Sequence, residues 1–273
     1  MNDKILVLGK GFIGSRLAEY FRCPVSGQKI STFKQIYALI EKYKPTVLIN
    51  CIGHTGKNNV DGCELAIDKT LFANTYIPIL LAEASLRHNI RFVHISSGCI
   101  YHYDYARQKP ITEARIPDYF DLYYSRSKIY AENVLTQLAK RHNILIARIR
   151  IPLDNRPHPK NILTKLIGYK RVINVPNSVT YIPDLMRSLA HLVRLNARGV
   201  YNIVCKRGLY YPALLDEYRK YRPDFQYQVI RVRDLKLART NLILSTAKLE
   251  RSGCRVRDIS EVIDECVRDY VQS

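Results

Sequence analysis

Two hydrophobic patterns alternate along the first half of the chain. Short continuous apolar runs such as KILVL (Lys4–Leu8) and TVLIN (Thr46–Asn50) precede longer stretches in which apolar residues recur every three or four positions. A continuous run is typical of a strand buried on both faces, and the longer spacing is typical of a helix with one apolar face. This alternation predicts an α/β fold, in which helices cover both faces of a parallel sheet.

Most of the regular elements are predicted before Pro152, and the pattern is looser after it. The predicted strands are Lys4–Leu8, Cys23–Val25, Thr46–Asn50, Ile90–Ser96 and Ile144–Ile151. The predicted helices are Phe12–Phe21, Phe33–Tyr43, Leu71–Asn89 and Tyr123–Asn143, followed later by Ile182–Leu195, Tyr211–Tyr218 and Ile259–Val271.

A glycine-rich turn joins the first predicted strand to the first helix. GKGFIG places Gly9, Gly11 and Gly14 in G-x-G-x-x-G spacing, with Phe12 and Ile13 opening the helix. Such a turn lets the backbone approach a pyrophosphate, which then faces the amino terminus of the helix. In this context the motif predicts a Rossmann-type, doubly wound sheet that binds a dinucleotide at these residues.

The segment after the second predicted strand favours NADPH as that dinucleotide. Sites that prefer NAD usually place an acidic residue there, to bind the ribose hydroxyls. No acid occurs between Glu19 and Glu41, and the segment instead holds Arg22, Ser26, Gln28, Lys29 and Lys34. Because a cation suits the 2′-phosphate of NADP, Lys29 is the first candidate for this contact, with Ser26 beside it.

The domain organisation follows from the same patterns. A chain of 273 residues suits one large domain, or a main domain with a smaller lobe. Residues 1–150 are predicted to form the NADP-binding domain, completed by residues 181–204. Residues 151–180 and 205–273 are predicted to form a smaller carboxy-terminal lobe that binds the substrate.

A tyrosine and a lysine four residues apart suggest the chemistry. Tyr124 and Lys128, in YYSRSK, lie on one face of the predicted helix. A lysine cation beside a phenol lowers the pKa of the phenol, which makes a tyrosine a usable proton donor to a carbonyl. With 20 tyrosines and 43 basic residues, chance matches to this spacing are expected, so its position downstream of SSG gives it weight. Tyr123 is the alternative, but its partner four residues on is Ser127.

Ser97, Tyr124 and Lys128 together resemble the extended, nucleotide-sugar-modifying branch of the short-chain dehydrogenase/reductase superfamily. The resemblance implies that Ser97 hydrogen-bonds the substrate carbonyl and that Tyr124 is the acid/base. It also implies that Lys128 binds the nicotinamide ribose. Three further residues are assigned to the cofactor site: Gly53, Thr55 and Pro152.

Sequence blocks spread over nearly the whole chain narrow the resemblance from the superfamily to one family. The matching blocks are GHTGKNNVDGCE, SSGCIYHYD, YYSRSK, RIRIP, NILTKL, INVPNSVT and ARTNLILSTAKL. They resemble the bifunctional UDP-4-keto-6-deoxyglucose 3,5-epimerase/4-reductase family of UDP-rhamnose synthesis, which is related to dTDP-4-dehydrorhamnose reductase. Two departures are that GKGFIG replaces a tryptophan-bearing loop and that VDGCE lacks a tryptophan before its cysteine.

Cys99 stands two residues beyond Ser97, and in extended backbone such residues point the same way. Cys99 is therefore expected to face the sugar. The resemblance implies that Cys99 and Lys165, in NILTK, form the acid/base pair that epimerises the sugar at C3 and C5. It further places Asn161 and Asn177 at the sugar, and it makes Arg239 a candidate for the nucleotide diphosphate.

The predicted function is NADPH-dependent conversion of a nucleoside-diphosphate 4-keto-6-deoxyglucose to NDP-β-L-rhamnose. The nucleotide stays open among UDP, dTDP and GDP. Two alternative enzymes are a single-activity 4-ketorhamnose reductase and a GDP-fucose-synthase-like epimerase/reductase. A non-catalytic, NADP-binding regulatory subunit is the alternative of another class, and the intact Ser97, Tyr124 and Lys128 set argues against it.

Composition limits the partners and the compartment. The net charge of +19 is spread along the chain without a long basic block, which favours attraction of small polyanions over specific nucleic-acid binding. Seven cysteines without a C-x-x-C pair fit a reducing compartment and no metal site. The amino terminus is read as a strand and no apolar run is long enough for a membrane span, so a cytoplasmic protein is expected. By analogy with the superfamily, Leu71–Asn89 and Tyr123–His142 are expected to form a homodimer surface.

Overall fold

The computed structural model describes residues 3–57, 59–105, 109–234 and 240–273. The chain divides into two compact units. The first unit comprises residues 1–100, 117–148 and 192–201, and the second comprises residues 101–116, 149–191 and 202–273.

Strands and α-helices alternate through most of the chain. The strands are β1 (Ile5–Leu8), β2 (Val25–Ser26), β3 (Val47–Asn50), β4 (Arg91–Ser97), β5 (Ile144–Ile149), β6 (Pro152–Leu153), β7 (Arg171–Ile173), β8 (Thr180–Tyr181), β9 (Gly199–Asn202) and β10 (Gln228–Ile230). The α-helices are α1 (Phe12–Phe21), α2 (Phe33–Tyr43), α3 (Ile67–Leu71), α4 (Ile77–Arg87), α5 (Tyr123–Ala139), α6 (Ile162–Ile167), α7 (Ile182–Arg194), α8 (Tyr211–Tyr221), α9 (Ala247–Arg251) and α10 (Ile259–Gln272).

A six-stranded sheet in the order β2-β1-β3-β4-β5-β9 forms the centre of the first unit. Strand β1 pairs in parallel with β2 and β3, and β3 pairs in parallel with β4. The register places Leu8 beside both Ser26 and Asn50, so three strands end at the same edge. The predicted doubly wound α/β fold is confirmed, and this common edge is where such folds bind their ligands.

Local sequence explains where the helices begin. Thr32 caps α2 by accepting from the backbone N–H of Gln35, and the Gln35 side chain accepts from the backbone of Thr32 in return. Asp258 and Glu261 form the same reciprocal cap at the start of α10. Each such pair satisfies backbone donors that the first helical turn leaves without partners.

Two predicted elements differ from the observed ones. The second strand is Val25–Ser26 instead of Cys23–Val25, because Cys23 still follows α1 and donates its backbone N–H to Ala18. The long helix predicted at Leu71–Asn89 consists of α3, a π-helical turn at Phe72–Tyr76, and α4. The wider turn encloses Asn74, whose side chain is fully buried.

The core of the first unit lies between the sheet and its helices. Leu6, Leu48 and Phe92 of the strands pack with apolar residues of the helices such as Leu81. Arg91 is buried at the start of β4, where its guanidinium donates to the carbonyls of Leu192 and Val193. A cation thus satisfies the carbonyls that the carboxyl end of α7 leaves open.

The second unit has two small parallel pairs, β6 with β8 and β7 with β10. The large apolar side chains of its core include Leu153, Tyr181, Leu214, Leu215, Val262 and Val267. No helix among the described residues has the length and the hydropathy that a membrane crossing requires.

The predicted domain boundaries differ from the two units, and the two longest differences have a visible cause. Residues 101–116 group with the second unit, because Ile111 pairs with Leu244 and takes a hydrogen bond from Ser245. Residues 181–191 also belong to the second unit, although the sequence pattern predicts that they complete the first. There β8 pairs with β6, and Asp184 forms an ion pair with Arg257.

Candidate active site

The glycine turn between β1 and α1 packs against the loop that follows β3. Gly9 has a φ of 99°, and a Cβ there would lie 2.8 Å from the backbone of Cys51 and Ile52. A Cβ at Gly14 would collide with the Gly9 carbonyl. Glycine is therefore required at both positions by the protein itself.

Gly11 is different, because a Cβ at this position would meet no atom of the described residues within 4 Å. It is the residue before α1, whose first turn has neither a side-chain cap nor an acidic residue. The amino terminus of α1 thus presents backbone donors and the positive end of the helix dipole to open space. These features fit the pyrophosphate of the predicted dinucleotide, beside the buried Phe12 and the half-buried Ile13.

The loop after β2 lies at the same edge and carries the residues predicted for the 2′-phosphate. Ser26 accepts at its carbonyl from the Gly9 N–H over 2.8 Å, and its hydroxyl accepts from the Gln28 N–H. Lys29 is exposed three residues further on. The loop therefore offers a solvent-facing cation directly beside the glycine turn.

Lys10 is a further candidate for the contact with the 2′-phosphate, and it was not predicted from the sequence. A Cβ on Gly27 would lie 3.3 Å from the Cβ of Lys10, so the Lys10 side chain runs along the loop after β2. The signal was present, since Lys10 is the cation inside the glycine motif. Only the fold brings that residue next to the loop containing Lys29.

Asn74 holds the loop that follows β3. Its side-chain oxygen accepts from the His54 N–H over 2.7 Å, and its amide nitrogen donates to the His54 carbonyl and to the Ser127 hydroxyl. Asn74 thus supports the backbone of the loop after β3. The predicted cofactor contacts Gly53 and Thr55 flank His54, with Gly53 exposed and Thr55 half-buried.

The backbone of Cys99 joins Ser97 to the start of α5. The Cys99 N–H donates to the Ser97 hydroxyl over 3.1 Å, and the Ser125 hydroxyl donates to the Cys99 carbonyl over 2.6 Å. Strand β4 ends at Ser97 and Gly98 forms a bend, so the extended-backbone argument for the direction of Cys99 does not hold. The Cys99 side chain is half-buried.

Tyr124 and Lys128 lie on the buried face of α5, with exposed fractions of 9% and 5%. The Ser127 hydroxyl donates to the Tyr124 carbonyl, and Ser127 in turn accepts from Asn74. Tyr123 is half-buried and stacks against the Arg126 guanidinium. Of the two tyrosines, Tyr124 therefore has the buried position that the predicted role requires.

Lys128 has an unusual electrostatic environment. A Cβ on Gly53 would lie 3.5 Å from its Nζ, so the ammonium reaches the loop after β3. Burial lowers the pKa of Lys128 from 10.5 to about 8, and the Glu132 carboxylate offsets part of that effect. A lysine with such a pKa can change its protonation state near neutral pH.

The hydrogen-bonding capacity of the Asn161 side chain is used within the protein, so none is left for the sugar contact predicted from the sequence. Its oxygen accepts from the backbone N–H groups of Asp154 and Leu163, each over 3.1 Å. Its amide nitrogen donates to the carbonyls of Asp154 and Arg156. These four bonds use the capacity of a carboxamide, so the prediction is corrected: Asn161 caps α6 and ties down the preceding loop.

Asn177 is corrected for the same reason. Its oxygen accepts from the Arg150 Nε and from the Leu242 N–H, over 3.1 and 3.2 Å. Its amide nitrogen donates to the Asn241 side chain over 2.9 Å and lies 3.5 Å from the Thr240 carbonyl. The side chain is buried and anchors residues 240–242 in the second unit.

The other predicted residues of the second unit lie in or near α6 and β6. Lys165 is half-buried in the last turn of α6, and Pro152 is half-buried in β6. Arg239, predicted for the diphosphate, lies outside the described residues. No cluster of three or more histidine, cysteine or acidic side chains suited to a metal ion occurs among the residues described.

Comparison with known proteins gives a family and several similar structures. Residues 4–210 match the RmlD substrate-binding domain family. The chain is 26% identical over 274 residues to the bifunctional dTDP-4-dehydrorhamnose 3,5-epimerase/dTDP-4-dehydrorhamnose reductase of Arabidopsis thaliana, covering 94% of this chain and 89% of the relative.

A second group of relatives is longer. The chain is 26% identical over 276 residues to a trifunctional UDP-glucose 4,6-dehydratase/UDP-4-keto-6-deoxy-D-glucose 3,5-epimerase/UDP-4-keto-L-rhamnose-reductase of Arabidopsis thaliana. That match covers 94% of this chain but only 40% of the relative. The chain thus spans about two fifths of the length of the trifunctional enzymes that it matches.

Two solved structures share the fold over nearly their full length. The UDP-rhamnose synthase of Acanthamoeba polyphaga mimivirus has a TM-score of 0.89 at 25% identity, covering 98% of this chain and 99% of the neighbour. A dTDP-4-dehydrorhamnose reductase of Bacillus anthracis, solved with NADP, has a TM-score of 0.81 at 18% identity, and each chain is covered completely.

A parallel sheet with a glycine turn at β1, a serine at the end of β4 and a Tyr-x-x-x-Lys helix beside it defines the class. These are the features of a Rossmann-type protein with a dinucleotide-binding glycine turn. Within that class, the chain belongs to the RmlD substrate-binding domain family. The family resemblance predicted from the sequence blocks is confirmed.

Replacing Lys128 with methionine is expected to stabilise the cofactor-free protein while abolishing reduction. The pKa falls from 10.5 in the unfolded chain to about 8 in the fold, so folding opposes the charged form. This costs roughly 3 kcal/mol at pH 7. Because the unfolded chain binds the extra proton, the cost shrinks as pH rises from about 8 to 10.5.

The measurement is thermal unfolding of Lys128→Met at pH 7 and at pH 10.5, with the exposed Lys42→Met as control. We expect a higher Tm for Lys128→Met at pH 7, a smaller gain at pH 10.5, and little change for Lys42→Met. If the Tm of Lys128→Met at pH 7 were equal to or below that of the wild type, the buried charge of Lys128 would not lower the stability of the protein.

The preference for NADPH over NADH should depend on Lys10 and Lys29 together. Each alanine variant is expected to lose roughly 10-fold in the NADPH-to-NADH ratio of kcat/KM, because a charge-assisted contact to the 2′-phosphate is lost. Lys42→Ala is the matched control, since Lys42 is an exposed lysine near the end of α2. A wild-type enzyme that prefers NADH would overturn the assignment, and an unchanged ratio in both variants would exclude these two lysines.

Proposed function

We propose that this protein uses NADPH to reduce the C4 carbonyl of a nucleoside-diphosphate 4-keto-6-deoxyhexose. We further propose that it first epimerises the sugar at C3 and C5, so that the product is an NDP-β-L-rhamnose. The reductive step has the broader support, because the similar proteins include reductases and rhamnose synthases. The epimerisation rests on Cys99 and Lys165.

The observation that carries the proposal is the pair of hydrogen bonds at the Cys99 backbone. They fix Cys99 between Ser97 and Ser125, the residue next to Tyr124. A thiol-bearing residue is therefore built into the connection between the two residues that would bind the substrate carbonyl. In a plain reductase nothing in the chemistry would call for a thiol at this position.

The reduction assigns one task to each of three side chains. Because the Ser97 hydroxyl accepts from the Cys99 N–H, its own hydrogen remains available to the substrate carbonyl oxygen. Tyr124 donates a proton to that oxygen as C4 is reduced, and the Lys128 ammonium stabilises the phenolate that remains. When bound, NADPH supplies the hydride to C4.

Epimerisation uses the same carbonyl. The hydrogens at C3 and C5 are acidic because the C4 carbonyl stabilises the enolate formed when either is removed. Ser97 donates to the enolate oxygen, one group takes the proton from carbon, and another returns a proton to the opposite face. Cys99 and Lys165 are assigned these two tasks. The nucleotide remains open, because the relatives carry UDP and dTDP in their names.

A homodimer is proposed on the surface formed by the π-helical turn and α5. Phe72, Tyr76, Tyr130 and Val134 are each 40–48% exposed there. Large apolar side chains gathered on one face favour association of two copies. Sedimentation equilibrium that reports a monomer at micromolar concentration would contradict this part of the proposal.

The two half-reactions should be separable by substitution. Cys99→Ser keeps the size of the side chain but gives a hydroxyl that is too weak an acid to exchange protons. This variant should reduce a 4-ketorhamnose nucleotide supplied ready-made, yet lose roughly 10²–10⁴-fold on the unepimerised 4-keto-6-deoxyglucose nucleotide. Tyr124→Phe should keep deuterium exchange at C3 and C5 in D₂O while losing net reduction. NMR of the products measures both.

Cys254→Ser is the matched control, since Cys254 is another half-buried thiol and its Sγ contacts Ser188. If Cys99→Ser converts the unepimerised substrate at the wild-type rate, the protein is a single-activity reductase. If the wild type oxidises NADPH with none of the 4-keto-6-deoxy sugar nucleotides, the non-catalytic NADP-binding alternative replaces both.

A further inference from the structure

Glu132 is a buried carboxylate that joins three elements of the first unit. Its Oε1 accepts from the Arg148 Nε over 2.8 Å and also from the Arg148 Nη2. Its Oε2 accepts from the Ser96 hydroxyl over 2.8 Å. The side chains of Glu132 and Arg148 are only 2% and 3% exposed. One carboxylate thus connects α5 to β4 and β5.

The connected residues are neighbours of the proposed reductive set. Ser96 directly precedes Ser97, and Glu132 lies one helical turn after Lys128 on α5. Residues four apart on a helix lie on one face, so the carboxylate is on the side of α5 that carries the Lys128 side chain. The ion pair therefore fixes α5 against the strand that ends in Ser97.

A buried ion pair at this place is not explained by stability alone. Removing two charges from water costs several kcal/mol each, and apolar replacements of both partners are often neutral or stabilising. Because stability does not account for the Glu132–Arg148 ion pair in the sheet–helix interface, we look for a functional role. The position of the carboxylate beside Lys128 indicates what that role is.

Three other groups interact electrostatically with Lys128 from the elements packed around it: Cys51 after β3, Cys63 in the short helix at Val60–Cys63, and His94 on β4. Tyr124 lies one turn earlier on α5. Burial raises the pKa of Cys51 to about 12 and also raises that of Cys63, so both are neutral thiols near pH 7. Burial lowers the pKa of His94, which is neutral as well. Among these described neighbours, Glu132 is the one that carries a negative charge.

We infer that Glu132 is a positioning residue for the reduction: its carboxylate, locked by Arg148 and Ser96, keeps Lys128 cationic and holds it in register with Ser97. The inference rests on the proposed function for the roles of Lys128 and Ser97. The predicted effect of Glu132 on the pKa of Lys128 can be measured without substrate.

The test compares Glu132→Gln with the double variant Glu132→Gln/Arg148→Met. The single variant leaves a buried guanidinium without its counter-charge and should be less stable, whereas the double variant removes both charges and should regain most of the lost Tm. Lysine labelled with ¹³C reports the titration of Lys128, with Lys128→Met identifying its signal. We expect the Lys128 pKa to fall by about one unit in both variants.

The alkaline limb of the pH profile of kcat/KM should move down by the same amount in both variants, while the Tm recovers only in the double one. If the Lys128 titration and the alkaline limb return to their wild-type positions together with the Tm, Glu132 has a structural role only and the inference is wrong. A wild-type protein without turnover would overturn the proposed function, and the titration would then decide the inference by itself.

Discussion

The site depends on an ammonium group held where water hardly reaches it. Lys128 is 5% exposed, and its surroundings disfavour the charge that its proposed role requires. Two neighbouring features stabilise this ammonium group in its buried position. Asn74 fixes the loop against which the Lys128 Nζ lies, and Glu132 supplies a counter-charge from the same helix. The position and protonation of one side chain thus connect the loop after β3, the serine strand and α5.

The cofactor end obeys a second constraint, which is the close approach of backbone to backbone. Gly9 and Gly14 are required because the turn touches the loop after β3 and touches itself. A Cβ at Gly11 would meet no atom of the described residues within 4 Å, which leaves space for a ligand. Two glycines of the motif are therefore required for backbone packing, and the third leaves space for a ligand. The loop containing Cys51 takes part in both ends of the site, since it contacts the turn and interacts with Lys128.

Elements whose signal is local were predictable from the sequence, and contacts made by folding were not. The apolar runs, the glycine spacing and the Tyr124–Lys128 pair lie within short stretches, and they led to the correct fold class and family. The proximity of Lys10 to Gly27 needs two loops to meet at one sheet edge, which no local pattern reports. Asn161 and Asn177 look like available polar residues in a sequence. In the fold, the Asn161 side chain is saturated by its own loop, and the Asn177 side chain binds Arg150 and Asn241. Cys99 does not continue the extended backbone of Ser97, because β4 ends at Ser97, and such a boundary cannot be read from a sequence to within one residue.

The π-helical turn at Phe72–Tyr76 limits how this part of the chain can vary in length. A π turn accommodates one residue more than an α-helical turn, and each residue of an α-helix advances by about 100°. Loss of one residue here would rotate α4 by that angle relative to α3. Either Asn74 would leave the His54 loop, or Leu80 and Leu81 would leave the core beneath the sheet. Both faces can be satisfied only with the extra residue, so the length of this segment is fixed by the two contacts that it has to make.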